Sequence, residues 1–193
     1  MHLPEEITGV LKNNIKPKNI YRILDCKAGS ESVVLGEIKI SSVSLAGHLA
    51  GCRHAALLAA TLGAASDMLI RKYSILDMGK AMLAQNISAA MIESYLDETE
   101  KEISQIEELK NLYPVARFSP GYGDFNITCQ KDILNFLDAS RIGISLTEGY
   151  MMIPSKSVTA VIGFSEEKRK TAGKCSRCDD KKCRLREEKN GID

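Results

Sequence analysis

Pro120-Gly121, at the centre of Arg117-Phe118-Ser119-Pro120-Gly121-Tyr122-Gly123-Asp124, forces the backbone to reverse direction. Proline presets φ near about −65° and glycine accepts positive φ, so the pair reads as a tight turn. Such a turn can project Arg117 and Tyr122 from the same side of a scaffold. A guanidinium grips a carboxylate through two parallel hydrogen bonds, and a phenol ring packs on a flat ligand. The plain alternative is a surface turn with Arg117 solvated and Tyr122 packed.

The elements around this turn follow from pattern. Pro4-Glu5-Glu6 opens a helix with Ile7, Val10 and Leu11 on one face. Residues 32–40 read as one strand. Ser42 or Ser44 caps a helix to about residue 54, with Leu45, Leu49, Cys52 and Ala56 on one stripe. Residues 56–62 form a buried strand closed by Gly63, and Ser66 or Asp67 starts another helix. Asp77 begins the longest helix, to about Leu112, whose charges thicken after Asp97. Thr128 caps a helix carrying Ile133, Leu134, Phe136 and Leu137. Residues 142–153 and 157–164 read as a β-hairpin around Pro154-Ser155-Lys156. Helices and hairpins without strict βαβ alternation predict an α+β fold in a single domain.

Composition narrows the function classes. The 193 residues suit one domain with a real core, and the net charge is +1. No global field steers the chain toward nucleic acid or an anionic membrane. The start of the chain is acidic and lacks an apolar run, so no secretory signal is read there. The longest uncharged apolar stretch, 55–66, is far shorter than a membrane span of roughly 20 residues. A soluble, cytoplasmic protein is expected. No G-x-G-x-x-G, G-x-x-x-x-G-K-[ST] or G-x-S-x-G motif occurs, so no Rossmann site, P-loop or nucleophile elbow is supported.

The run from Arg117 to Asp124, followed by Gln130, resembles the R-x-S-P-G-Y-G-D…Q signature of the activation domain of cobalamin-dependent methionine synthase. Thr61-Leu62-Gly63, Glu93 on the long helix, and Met152-x-Pro154-x-Lys156-Ser157-Val158-Thr159 extend the resemblance in order along the chain. The resemblance implies a twisted, largely antiparallel sheet with helices around it. It also implies S-adenosylmethionine in a shallow groove at the loop. Arg117 would pair with the ligand carboxylate. The backbone of Phe118, Ser119, Pro120 and Gly121 would meet the adenine or ribose, and Tyr122 would pack on the ligand. Glu93 would accept from the ligand ammonium or from Arg117 itself. Where larger homologues carry a second tyrosine on the last strand, this chain has Ala160-Val161-Ile162-Gly163. The implied role is reductive methylation of the corrinoid of a separate methionine synthase, with cobalamin carried by that partner and an electron from a one-electron donor protein.

A second feature lies C-terminal to residue 165. From 166 to 189 there are ten basic and six acidic residues, a net of +4, marking residues 166–193 as a tail distinct from a domain at 1–165. It holds Cys175-x-x-Cys178-x-x-x-x-Cys183, a thiol spacing that suits Zn or an iron–sulfur centre but leaves the fourth ligand open among Cys26, Cys52, Cys129, a histidine or a tail carboxylate. The alternative is an unmetallated segment whose basic residues lower the thiol pKa values. His48, Cys52 and His54 form a weaker metal candidate. Two further functional readings stand beside the leading one: a non-catalytic corrinoid-protein adaptor, and a metal or redox module centred on the tail. A nucleic-acid module is disfavoured, because no aromatics stand between the tail lysines.

Overall fold

The computed structural model describes residues 3–168. The chain begins with helix α1 (Leu3–Asn14), then strands β1 (Lys18–Ala28), β2 (Ser32–Leu35) and β3 (Ile38–Ser41). Helix α2 (Val43–Leu49) leads into β4 (Cys52–Thr61), followed by α3 (Ala64–Leu76) and the long α4 (Met78–Ser104). A short edge strand β5 (Tyr113–Pro114), α5 (Cys129–Leu137), β6 (Ser145–Leu146), β7 (Met152–Ile153) and β8 (Ser157–Ser165) complete it. Six strands form one sheet in the order β3-β2-β1-β4-β8-β5, and every neighbouring pair is antiparallel. This is the α+β architecture that the sequence pattern predicts, with the largely antiparallel sheet that the resemblance implies.

The central strands are apolar on both faces because both faces are covered. In β4, Ala55, Leu57 and Ala59 join a core with Leu45 and Leu49 of α2 and Ile133, Leu134 and Leu137 of α5. The alternate residues Ala56, Leu58 and Ala60 join Ile92, Leu96 and Ile103 of α4. Helix α1 sits beyond, packing Ile7 and Leu11 against Ala84 of α4 and Tyr73 of α3. The sheet is therefore the middle layer of three.

Several boundaries differ from the sequence reading. Residues 32–40 are not one strand: β2 and β3 turn at Gly36, whose φ is +57°. A Gly-x pair between apolar runs is a hairpin signal. Ser42 does cap α2, its hydroxyl accepting from the Leu45 N–H. That helix ends at Leu49, and Gly51 at φ +73° opens the way into β4. Cys52 and Ala56 are thus strand residues, not members of a helical stripe. Helix α3 starts at Ala64, two or three residues early, with Gly63 at φ +80° before it. Asp67 instead reaches across to accept from the Ser155 N–H (2.7 Å) and hydroxyl (2.6 Å). Helix α4 stops at Ser104 and gives way to a 3-10 turn at Glu107–Leu109. Its charged second half still buries Leu96, Thr99 and Ile103. Thr128 makes no side-chain cap; the Asn126 side chain accepts the Thr128 N–H at 2.9 Å.

Two differences matter more. Residues 142–153 and 157–164 do not form a hairpin. β6 pairs only with β7, whereas β8 enters the main sheet between β4 and β5. The β8 segment has both faces to bury, and β4 offers nine partner residues where the short β7 offers two. β1 has no counterpart in the sequence reading. Ile20 and Leu24 pack on one core and Tyr21 and Ile23 on the other, so the alternation that betrays a half-exposed strand is missing.

Candidate functional site

The signature loop grows out of the sheet edge. After β5, the Val115 N–H donates to the Gly163 carbonyl (2.8 Å), and Phe118 and Val161 exchange two backbone bonds of 3.0 and 2.8 Å. Residues 115–118 are thereby stitched along β8. The chain then reverses: the Tyr122 N–H donates to the Ser119 carbonyl at 3.1 Å, with Gly121 at φ +96°. Proline at the second position and a positive-φ glycine at the third define a type II turn. Pro120 is buried under it. The turn that Pro120-Gly121 predicts is therefore present.

The two functional ends of the loop do not project to one side. Arg117 turns to α4, where three carboxylates spaced i, i+4 and i+7 share a helix face. Nη2 contacts Glu93 Oε2 at 3.2 Å and Asp97 Oδ1 at 2.7 Å, and Nη1 contacts Glu100 Oε2 at 3.0 Å. The Arg117 side chain is only 18% exposed. Glu100 is drawn in with it, and burial raises its carboxyl above the ordinary range, partly offset by Arg117. Burial opposes the Arg117 charge, but the hydrogen bond to Asp97 and the charges of Glu100, Asp97 and Glu93 outweigh it and raise its pKa further. Arg117, one of the two partners foreseen for Glu93, contacts it here. Asp97 and Glu100 escaped the sequence reading, although their spacing from Glu93 was a readable signal.

The aromatics turn toward α2. Phe118 lies 4.9 Å from the His48 ring, 6.3 Å from Phe125 in a stacked pose and 5.8 Å from Tyr122 edge-on. Phe125 is fully buried, while Tyr122 is 58% exposed. The ladder therefore leads from the core to an open phenol ring. Exposed Val43 and Ile127 belong to the two segments beside this loop.

Asp124, the last residue of the motif, is an anchor. Its Oδ1 accepts from the Ser42 hydroxyl (2.6 Å) and the Ser44 N–H (2.9 Å), and Oδ2 from the Val43 N–H (2.7 Å). The loop thus caps a helix some 80 residues away in sequence. The Ser42 hydroxyl, then the Ser44 N–H, hold the Asp124 carboxyl well below the usual carboxylate range. Gly123 beside it sits at φ +54°, where a Cβ would fall 2.8 Å from Ser44 Cβ. Because the folded state holds this proton less tightly than the unfolded chain, the anchor stabilises above the unfolded value near about 4 and fades as pH falls below it. Asp124→Asn is expected to melt below the parent at pH 6, with the gap narrowing toward pH 2–3. A gap independent of pH in thermal melts would refute the charged anchor.

The cysteines and histidines of the described residues form no three-ligand cluster, although Cys26 and Cys52 lie near each other. Burial pushes the Cys26 thiol up to about 11, so it is a poor nucleophile and ligand. His48 Nε2 lies 2.6 Å from the Ala116 carbonyl, and His54 Nδ1 lies 3.5 Å from Asp25. Among the described residues no group of three His, Cys, Asp or Glu side chains is arranged to hold a metal ion. The weaker candidate, His48, Cys52 and His54, is thereby corrected: α2 and β4 point these side chains to different partners. Cys175, Cys178 and Cys183 lie outside the described residues. No described helix is long and apolar enough to cross a membrane.

Comparison with known proteins agrees with this geometry. No curated protein matches the chain at a significant level. Among solved structures, the fold is similar to a crystal structure of the MetH reactivation domain bound to AdoHcy. The TM-score is 0.65 at 14% identity, over 87% of this chain and 66% of that one. The present chain therefore spans just under two thirds of that domain's length. The sequence model of the vitamin B12 dependent methionine synthase activation domain matches residues 56–183, about two thirds of the chain, from β4 past β8 and through the three tail cysteines. With the R-x-S-P-G-Y-G-D loop stitched to β8 and the matched fold around it, the chain belongs to the activation-domain family of vitamin B12-dependent methionine synthase.

Proposed function

We propose that this protein binds S-adenosylmethionine at the loop of residues 117–124 and supports the reductive methylation that returns an inactive corrinoid to the methionine synthase cycle. The observation that carries the reading is the exposed Tyr122 ring at the end of an aromatic ladder rooted in the core at Phe125, beside a type II turn, in a chain of this family. A related domain was crystallised with AdoHcy, the demethylated form of the same ligand. Gly121 at positive φ leaves the main chain bare for close approach. Tyr122 offers an aromatic face for a flat base or ribose, and Glu93 lines the α4 side. Phe118, Ser119 and Pro120 hold that surface rigid through β8 and the turn.

The protein's own work in this reading is positional. It holds the methyl donor, orients the sulfonium outward and keeps water from that face. Cobalamin, carried by a methionine synthase acting in trans and reduced by a one-electron donor, supplies the nucleophile that takes the methyl group. No general acid or base is required of this chain.

The adaptor reading is favoured by one observation. Between Ser157 and Phe164, β8 presents no aromatic side chain to a ligand. Isothermal titration separates the two. Saturable one-to-one binding, weakened about tenfold by Tyr122→Ala, supports the first reading. Absence of binding with a corrinoid partner present supports the adaptor.

A further inference from the structure

We infer that the corner where α3 meets α4 is the surface on which two copies of this chain pair about a two-fold axis. The inference is independent of the S-adenosylmethionine reading and concerns the end of α4 remote from Arg117. At about 1.5 Å per residue, Met82 lies roughly 20 Å along α4 from Asp97. Pairing at the corner therefore keeps the signature loop out of the contact.

Helix α3 is apolar on two faces. Leu69, Ile70 and Tyr73 pack inward in the cluster that α1 and α4 share. Ile75 and Leu76, at its end, turn outward and are 80% and 69% exposed. Asp77 closes α3 and caps α4. Directly after it, Met78 and, one turn on, Met82 are 63% and 64% exposed. Glu6 of α1 lies 3.9 Å from Lys80, which brings the first turn of α1, with exposed Leu3, to the same end. A helix that is apolar all round is one that is covered all round, and no described element covers this corner.

Size and charge point to a second copy as the cover. Ile75, Leu76, Met78 and Met82 leave on the order of 500 Å² open, near the upper end for one patch on a monomer. Two such patches face to face remove about 1,000 Å², the size at which a specific interface begins, before the rim is counted. The rim is self-complementary. Exposed Arg71 and Lys72 come one turn before Ile75, and exposed Asp77 comes just after it. A two-fold axis near Ile75 sets Lys72 of one copy against Asp77 of the other, the reciprocal pairing of an isologous interface. Lys80 is already taken by Glu6 and the Tyr73 ring. The chain's own C-terminal segment suits the corner less well, because residues 166–189 carry a net +4 and would meet Arg71 and Lys72. Unbranched, polarisable methionines at 78 and 82 adapt readily to a copy of the same surface.

Sedimentation equilibrium of the full chain, over about 1 to 200 µM, tests this directly. The expected result is a mass that rises from one chain to two, with a dissociation constant in the micromolar range that suits an interface of this size. Ile75→Glu and Met82→Glu place carboxylates on the apolar contact and should each weaken pairing by about tenfold or more. Both side chains are exposed in the single chain, so both variants should melt like the parent. Lys72→Glu sets a carboxylate against Asp77 and should weaken pairing by about tenfold. A single-chain mass at every concentration would overturn the inference. So would a dimer indifferent to all three variants, because its contact would lie elsewhere. Monomers that co-sediment with vesicles of anionic lipid would also overturn it, and would give the corner to a membrane surface.

Discussion

Arg117→Met is expected to lower the melting temperature by roughly 5–10 °C at pH 7, with much of the loss regained near pH 5. Removing the cation leaves Glu93, Asp97 and Glu100 facing one another. Breaking a buried pair from one side costs about 3–5 kcal/mol, because the remaining charge is left uncompensated. Here Glu93 and Asp97 are more than half exposed, so water screens part of the penalty and about 2–3 kcal/mol is expected. For a domain of this size that corresponds to the stated shift. The pH dependence follows from Glu100, whose carboxyl is raised by burial even with Arg117 beside it. Without Arg117 the folded state binds protons more readily than the unfolded chain. The variant therefore recovers stability as pH falls through the carboxylate range. A penalty that is equal at pH 7 and pH 5 would show that Arg117 stabilises by packing its methylenes, not by charge.

Gly163→Ala is the second large effect. The position lies in the middle of the sheet, in β8 opposite Ala55 of β4. A Cβ there would fall 2.6 Å from Leu49 Cδ2 and 2.7 Å from both Cys52 Sγ and Val115 Cγ2. All three neighbours are buried, and close-packed interiors do not yield by that much without moving an element. One extra methyl in such a site costs about 2 kcal/mol, or roughly 4–8 °C. Val115 is the neighbour with functional weight, since its N–H bonds the Gly163 carbonyl and starts the segment that ends in Arg117. Differential melts should therefore be paired with ligand titration, and both are expected to suffer. Cys52→Ala in the same background should return part of the stability, a coupling expected of side chains that share one space. An unchanged melting point for Gly163→Ala would mean that Leu49 and Val115 can withdraw, and the loop would not depend on that contact. The same site bears on the missing strand tyrosine. Glycine at 163 leaves room for α2 and residue 115 to close onto β8, and a large side chain there would hold them apart.

The physical content of the chain that was legible in order of residues is local. Pro120-Gly121 dictates a reversal because φ is preset at one residue and permitted at the next. Ser42 and Asp77 start helices because their side chains reach backbone N–H groups one turn on. The apolar run through β4 announces burial, and the ordered motif blocks from Thr61 to Thr159 point to the family that the sequence model also identifies. What escaped was decided by partners distant in sequence. β1 has no alternation to read because two cores claim its two faces. β8 abandons the nearby β7 because β4 offers a longer ladder. Arg117 and Tyr122 adjoin the same turn, yet stitching of residue 118 to Val161 sends the cation to α4 and the rings toward α2. Asp124 looks like a loop carboxylate and becomes the cap of a helix 80 residues away. Sequence alone determined where the backbone must turn and which segments must be buried, since those depend on neighbouring residues. Only the tertiary structure decided which charges meet, because an ion pair depends on distances that the chain sets after it has folded.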